Sequence, residues 1–201
     1  MTVDAGRGVE VVLPRRAPER EAAAAVREFA PWIERRVREL DRAKALVAAR
    51  GDSVPYVGEL LRVRSQPGRT RVHRRGDELF APAGEERLPA LERWYRRAAR
   101  DEISARLAVA CWQTGNSYSK LTIRGQRTRW ASCSPDGAMS FNWRLLLGPE
   151  PVLDYVICHE VCHLEVMDHS PRFWALLASR CPDYRAYKSW LRRHGATLVL
   201  A

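Results

Sequence analysis

Residues 154–164 read Asp-Tyr-Val-Ile-Cys-His-Glu-Val-Cys-His-Leu, and this stretch decides how the rest of the chain is interpreted. His159 and His163 are four positions apart, a spacing that puts both imidazoles on one face of a helix about one turn apart. Two histidines so placed can bind one metal ion, and Glu160 then lies beside the coordination position that stays open. Residues 151–164 are therefore predicted to form a helix that carries a metal site.

A third histidine, His169, follows six residues after the second helix histidine and stands just before Ser170-Pro171. Ser170 is predicted to cap a new helix and Pro171 to occupy its first position, so a turn there brings His169 back over the pair. Three histidines leave one position open to substrate, as in catalytic rather than structural sites. The other histidines, His73 and His194, belong to a distant strand region and to the last predicted helix.

One zinc ion per chain is the predicted cofactor, because zinc suits imidazole ligands and hydrolytic chemistry, with nickel, cobalt and copper as alternatives. A zinc-bound water, with its pKa lowered towards about 7, is the predicted nucleophile, and Glu160 is the predicted general base. Cys158 and Cys162 each lie about 100° round the helix from the neighbouring histidine, so they are predicted to be small buried residues and not ligands.

The remaining pattern predicts an α+β fold, with helices where apolar residues recur at helical spacing and strands where β-branched and aromatic residues stand between turn residues. The predicted helices are 19–30, 31–49, 88–111, 151–164, one beginning at Pro171, and 183–195. The predicted strands are 9–13, 56–64, 71–80, 118–130 and 138–143. The turn signal Ser134-Pro135-Asp136-Gly137 predicts that the last two strands form an antiparallel hairpin.

Several motifs in the second half of the chain occur in a fixed order and carry a resemblance to a known family. They are Arg129-Trp130-Ala131-Ser132-Cys133-Ser134, Ser140-Phe141-Asn142-Trp143, the stretch 154–164, Asp168-His169-Ser170-Pro171-Arg172-Phe173-Trp174, and Pro182-Asp183-Tyr184. Over residues 88–201 this pattern resembles the YgjP-like metallopeptidase family, which is zincin-like and distantly related to the SprT-like group. Ala131 and Asp168 replace a Gly and an Asn of the family pattern.

The resemblance implies His159, His163 and His169 as the metal ligands and Glu160 as the catalytic glutamate. It also implies a zincin-like catalytic part, residues 87–201, in which an antiparallel hairpin or sheet packs on the HExxH helix. Residues 1–86 are expected to form a small strand and helix region packed on that part.

Three polar residues flank the strand motifs, and each has a structural and a functional interpretation. Arg129, Ser132 and Asn142 are candidates to orient a ligand histidine or to line a substrate groove at a strand edge. The two interpretations are equal for Asn142, and the structural one is favoured for Ser132. Phe173 and Trp174 are predicted to be core residues, because they recur at helical spacing.

The chain has 34 Lys and Arg against 24 Asp and Glu, a formal net charge of +10. This charge is spread along the sequence and is nearly all arginine, the only lysines being Lys44, Lys120 and Lys188. A solvated surface is the favoured interpretation, and a face that binds nucleotide, nucleic acid or another polyanion is the alternative.

Other compositional features narrow the class of protein. No apolar run approaches the roughly 20 residues needed to cross a bilayer, and the first residues do not form a secretion signal. Five cysteines are odd in number and few for a disulfide scaffold, so reduced thiols and a cytoplasmic location are expected. The sequence leaves the oligomeric state open.

The leading functional hypothesis is a zinc-dependent metallopeptidase that acts on peptide or protein substrates. One alternative is a metal-dependent nucleoside triphosphate pyrophosphatase, a label that some members of the resembled family carry, with arginines stabilising the phosphates. The other is a nucleic-acid-associated protease module, as in the SprT-like group, although no zinc knuckle, helix-turn-helix or RNA-binding motif is evident.

Overall fold

The structure is a computed structural model that describes residues 2–4, 8–14, 17–18, 20–126 and 128–200. It divides into two compact units, Met1–Gly51 and Asp52–Ala201. This division falls after residue 51, whereas the sequence suggested one after residue 86. The reason is that the strands between residues 53 and 82 contribute buried side chains to the same core as the following helices.

The first unit contains a two-stranded antiparallel pair and two helices: β1 (Thr2–Asp4), β2 (Gly8–Glu10), α1 (Arg20–Glu28) and α2 (Ala30–Ala48). The strand predicted at 9–13 is shorter and begins earlier, and Pro14 lies beyond its end. Pro31 lies in the first turn of α2, which confirms the predicted division of the helical stretch. Glu19, the first residue of that stretch, lies outside the described residues.

The second unit begins with a four-stranded sheet whose strands are β3 (Ser53–Tyr56), β4 (Glu59–Gln66), β5 (His73–Arg75) and β6 (Glu78–Pro82). The order is β3-β4-β6-β5, and only the β4–β6 pairing is parallel. The sequence predicted two strands, at 56–64 and 71–80, where the structure has four. Each predicted stretch contains a tight turn that divides it. Val57 and Gly58 turn the chain with φ of 49° and 88°, and Gly76 does so with φ of 61°.

The helix α3 (Arg87–Thr114) contributes many of the buried core residues and matches the helix predicted at 88–111. Tyr95, Ile103 and Leu107 on its apolar face are fully buried. Burial of each such side chain stabilises the fold by roughly 1.5–3 kcal/mol. The helix ends where Gly115 adopts the left-handed conformation, with φ of 67°.

A second sheet, of three strands, corrects the predicted hairpin: β7 (Lys120–Arg124), β8 (Ala131–Cys133) and β9 (Ala138–Asn142), in the order β7-β9-β8. The turn at Ser134–Gly137 is confirmed, but it joins β8 and β9, and β7 pairs with β9 in parallel. The single strand predicted at 118–130 is therefore wrong, and so is a purely antiparallel sheet. At Gly125, where the chain leaves β7, a Cβ would lie 2.6 Å from Arg96 Nη2 and 3.1 Å from Trp143 Nε1, so a larger residue there would displace the end of the Arg96 side chain.

Three longer helices follow: α4 (Glu150–His163), which carries His159 and His163, α5 (Pro171–Arg180) and α6 (Tyr184–His194). Short 3₁₀ turns at Gly84–Glu86, Trp143–Leu147 and Gly195–Thr197 were not predicted. The strand β8 and the helices α3, α5 and α6 all contact α4, so the helix of interest lies inside the unit. Gly195 ends α6 at a place where a Cβ would meet the Trp130 ring at 2.8 Å.

Within the part of the chain that the structure describes, none of the helices combines the length and apolar character that a membrane crossing requires.

Candidate metal centre

Three histidines come together at the end of α4. His159 and His163 project from the helix, and His169 follows in the loop before α5. Ligand nitrogens of the three rings all lie within 4.8 Å of one another. Nε2 of His159 and Nε2 of His169 are 3.1 Å apart. The structure thus brings together the three residues that the sequence singled out.

Contacts around the cluster fix the orientation of two of the rings. Nδ1 of His163 lies 3.0 Å from the carbonyl oxygen of Val166, so this nitrogen carries the proton and Nε2 keeps its lone pair. The ring of Phe173 stacks on that of His163 at 4.5 Å between centroids, and the ring of Trp174 stacks on that of His169 at 5.5 Å. Two aromatic residues in the first turn of α5 therefore pack against the imidazoles of His163 and His169.

The donor set fits a divalent transition metal. A tetrahedral zinc ion with bonds of about 2.0–2.1 Å places its nitrogen ligands about 3.4 Å apart. The Nε2 atoms of His159 and His169, 3.1 Å apart, are close to this distance. Burial, followed by the charges of His163, His169 and Lys188, lowers the pKa of His159 to about 3. Burial and the same kind of neighbouring charge lower the pKa of His169. Both imidazoles are therefore neutral near pH 7, which is the form that binds metals.

Glu160 is a buried carboxyl group next to the cluster. It is only 5% exposed, and its Oε2 has no hydrogen-bond partner among the described residues. Burial raises the pKa of Glu160 to about 8. An unpaired buried carboxyl is costly to a fold, and a strongly shifted pKa of this kind is typical of functional sites.

The pKa of Glu160 predicts how the metal-free protein responds to pH. Because its pKa rises from 4.5 to about 8 on folding, the folded state holds a proton between these values that the unfolded state has lost. The stability that Glu160 contributes is thus complete below pH 4.5 and is lost as the pH rises through 8. The pKa of His159 falls from 6.5 to about 3 on folding, so this residue makes the folded state less stable as the pH drops below 6.5. It has little effect on stability above pH 6.5.

From pH 6.5 to 8, metal-free wild type should therefore lose on the order of 2 kcal/mol of stability relative to the Glu160→Gln variant. Denaturant unfolding of both proteins with chelator present, at pH 6.5 and pH 8, measures this difference. A gap between the two proteins that stays constant across these pH values would contradict the buried, proton-binding state of Glu160.

Two carboxylates near the cluster in sequence have other partners. Oε1 of Glu165 accepts hydrogen bonds from Asn116 and from Arg180, the latter at 2.6 Å. Oδ1 of Asp168 accepts one from the backbone N–H of Ser170 at 3.2 Å. Among the described residues, the group that could hold a metal contains the three histidines and neither carboxylate.

The Asp168 contact also corrects the cap predicted for α5. Ser170 stands at the N-cap position and Pro171 begins the helix, but the Ser170 side chain makes no capping hydrogen bond. The Ser170 N–H is instead the donor to Asp168. The turn that places His169 is thus closed by Asp168, whose pKa is lowered by hydrogen bonds from the Ser170 side chain and from the Ser170 backbone.

The cysteines of α4 lie outside the histidine cluster, as predicted from their angle on the helix. Cys162 is fully buried, and its Sγ accepts a contact from Arg180 Nη1 at 3.7 Å. Cys158 is only half-buried, so the prediction of a buried residue holds in full for Cys162 alone. All five cysteines are free thiols.

The three polar candidates near the strand motifs make mainly structural contacts. Nδ2 of Asn142 donates to the carbonyl oxygens of Gln126 and Arg129, and its Oδ1 accepts from the backbone N–H of Arg144. Ser132 and Ser140 pair across β8 and β9 through their hydroxyls, 2.9 Å apart. The Arg129 residue is exposed. In the described residues, none of these side chains hydrogen-bonds to a histidine of the cluster.

Asn142→Ala is accordingly expected to destabilise the fold by about 2 kcal/mol while leaving metal affinity unchanged in the folded protein. The side chain is 3% exposed, and its loss leaves three backbone groups without their partner. Thermal unfolding and a metal titration with a chromogenic chelator measure the two effects. The matched control is Ser132→Ala, where one neutral side-chain pair is lost and a smaller effect is expected; reduced metal affinity in folded Asn142→Ala would restore a role in orienting a ligand.

The sequence did not indicate that the Trp174 ring stacks on His169. Phe173 is fully buried, as predicted, but Trp174 is half-buried and lies between the site and α6. Its ring stacks on Tyr184 at 5.7 Å as well as on His169, and Nζ of Lys188 lies 4.2 Å from its centroid. Helical spacing predicts burial, and it does not distinguish a core tryptophan from one that packs on a ligand.

Comparison with known proteins agrees with the site. A family model described as YgjP-like, metallopeptidase domain, matches residues 1–194. That family is one of metal-dependent peptidases, a class of hydrolase to which a three-histidine cluster is well suited. The chain belongs to the YgjP-like metallopeptidase family.

The crystal structure of the metallopeptidase zymogen of Pyrococcus abyssi abylysin matches 46% of this chain and 92% of its own chain, with 24% sequence identity and a TM-score of 0.40. No match was found among curated proteins.

Proposed function

We propose that the protein is a zinc-dependent peptidase in which His159, His163 and His169 hold one metal ion and Glu160 is the general base. The observation that carries this proposal is the convergence of three ligand nitrogens within 4.8 Å beside a buried, unpaired carboxyl. Membership of the YgjP-like metallopeptidase family supports peptide or protein as the substrate. The five free thiols fit a reducing, cytoplasmic setting.

The chemistry divides between the metal and the chain. A divalent ion at this site supplies Lewis-acid polarisation of a carbonyl and a lowered pKa for a water. With a divalent cation bound beside it, Glu160 would be ionised despite its burial, and it would take the proton of the attacking water and pass it to the leaving amine. The Val166 carbonyl holds the Nδ1 proton of His163, so that the ring presents a fixed lone pair.

The test is hydrolysis by metal-loaded protein of an unstructured polypeptide and, in parallel, of nucleoside triphosphates. We expect the protein to cleave the polypeptide. Chelator should abolish this cleavage, and added zinc should restore it. Chelator-sensitive hydrolysis of the triphosphates with intact polypeptide would instead favour the pyrophosphatase alternative.

A further inference from the structure

Lys188 is an exposed lysine of α6 that lies beside the histidine cluster. Its Nζ stands 4.2 Å from the centroid of the Trp174 ring, and that ring stacks on His169. Among the described residues no carboxylate pairs with this ammonium, and no hydrogen bond engages it. The Lys188 ammonium is therefore an uncompensated positive charge at the rim of the candidate site.

The Lys188 side chain is also held in place. The helix α6 packs on α4, and the Trp174 ring is stacked on Tyr184 as well as on His169. A cation over the face of such a fixed ring is attracted to it, which restricts an otherwise flexible lysine stem. A positioned ammonium loses less entropy when it binds an anion.

Two arginines close to Lys188 in the sequence are engaged elsewhere. Arg180 donates to Glu165, and Arg185 donates to the Tyr184 hydroxyl at 3.2 Å while its guanidinium lies over the Tyr184 ring. A phosphate chain needs several converging donors, whereas a single free ammonium matches a single carboxylate.

We propose that Lys188 determines substrate specificity by binding a carboxylate of the peptide, supplied either by its free C-terminus or by an Asp or Glu side chain. This inference rests on the proposed peptidase function. It adds a substrate class, acidic or C-terminal peptide segments, to a site that otherwise defines only the reaction. Lys188 positions substrate and takes no part in proton transfer.

The test uses sets of four peptides that have either Gln or Glu at one position near the cleaved bond and either a free or an amidated C-terminus. One set is made for each position tested on either side of the bond. Metal-loaded wild type should show a kcat/KM about 3- to 5-fold higher for the peptide with the recognised carboxylate, the size of an exposed ammonium–carboxylate pair. The Glu and C-terminal arms separate the two sources. Lys188→Met should bring the ratio close to one, and Lys188→Arg should retain it.

The control variant is Lys120→Met, which removes another exposed lysine, at the start of β7, and should keep the wild-type ratio. Raising the salt concentration should lower the ratio in wild type and leave it unchanged in Lys188→Met, because exposed charge pairs are screened. A purely structural role for Lys188 would lower kcat/KM for all four peptides equally.

The outcomes separate the two proposals. If wild type cleaves peptides and Lys188→Met keeps the wild-type ratio, the role of Lys188 is overturned while the peptidase function stands. If wild type cleaves none of the peptides, the peptidase function itself fails. A Lys188→Met variant that loses triphosphate hydrolysis without a change in the peptide ratio would overturn the carboxylate assignment in favour of phosphate.

Discussion

Glu160→Gln is expected to retain its metal ion and to lose about 10²- to 10⁴-fold in kcat on a polypeptide substrate, the range that a positioned general base contributes. The glutamine has the size of the buried carboxyl but cannot accept a proton from water. It adds no charge and removes no imidazole, so the three ligand nitrogens keep their arrangement. Metal analysis and steady-state kinetics on the same preparation measure both effects.

Glu165→Gln is the matched control for this substitution, because Glu165 is the next carboxylate in the sequence and is hydrogen-bonded to Arg180 and Asn116. It should keep kcat within a few-fold of wild type. If Glu160→Gln matched wild type and Glu165→Gln lost turnover, the base assigned to this site would be the wrong residue.

The parts of the site that could be predicted from sequence are those that a helix fixes locally. The i, i+4 spacing of His159 and His163 determines which face they share, whatever the rest of the fold does. Likewise Pro171 and Gly115 mark helix ends because their own backbone preferences set them. The helices α2, α3 and α4 lie within a few residues of their predicted limits for the same reason.

The parts that could not be predicted depend on contacts between distant segments. A strand pattern from residue 118 to 130 does not reveal that the chain crosses from one edge of β9 to the other near Gly125. The pairing of Val166 with His163 involves a backbone carbonyl, which leaves no signal in the choice of side chain. The sequence indicated that Asn142 is a polar residue near the site. Only the folded structure shows that its side chain hydrogen-bonds to backbone groups.

His159→Ala and His163→Ala are expected to abolish stoichiometric metal retention, with losses in affinity well above the 10- to 100-fold that follows from changes to residues behind the ligands. Each variant removes a nitrogen that α4 holds in a fixed direction, and two histidines bind a metal far more weakly than three. His169→Ala should also weaken binding, but less, because the helix pair that remains is preorganised and water can complete the coordination.

The order of these effects follows from how each ring is held. His163 is buried, with Nδ1 bonded to Val166 and its face against Phe173, whereas His169 is exposed and rests on Trp174. Competition titration with a chromogenic chelator on the three variants measures the order of these effects. The control is His73→Ala, which alters a histidine in β5 of the four-stranded sheet. Unchanged affinity in His169→Ala would mean that the third ligand is another residue, and a carboxylate such as Asp168 would then be the next to substitute, because it closes the same turn.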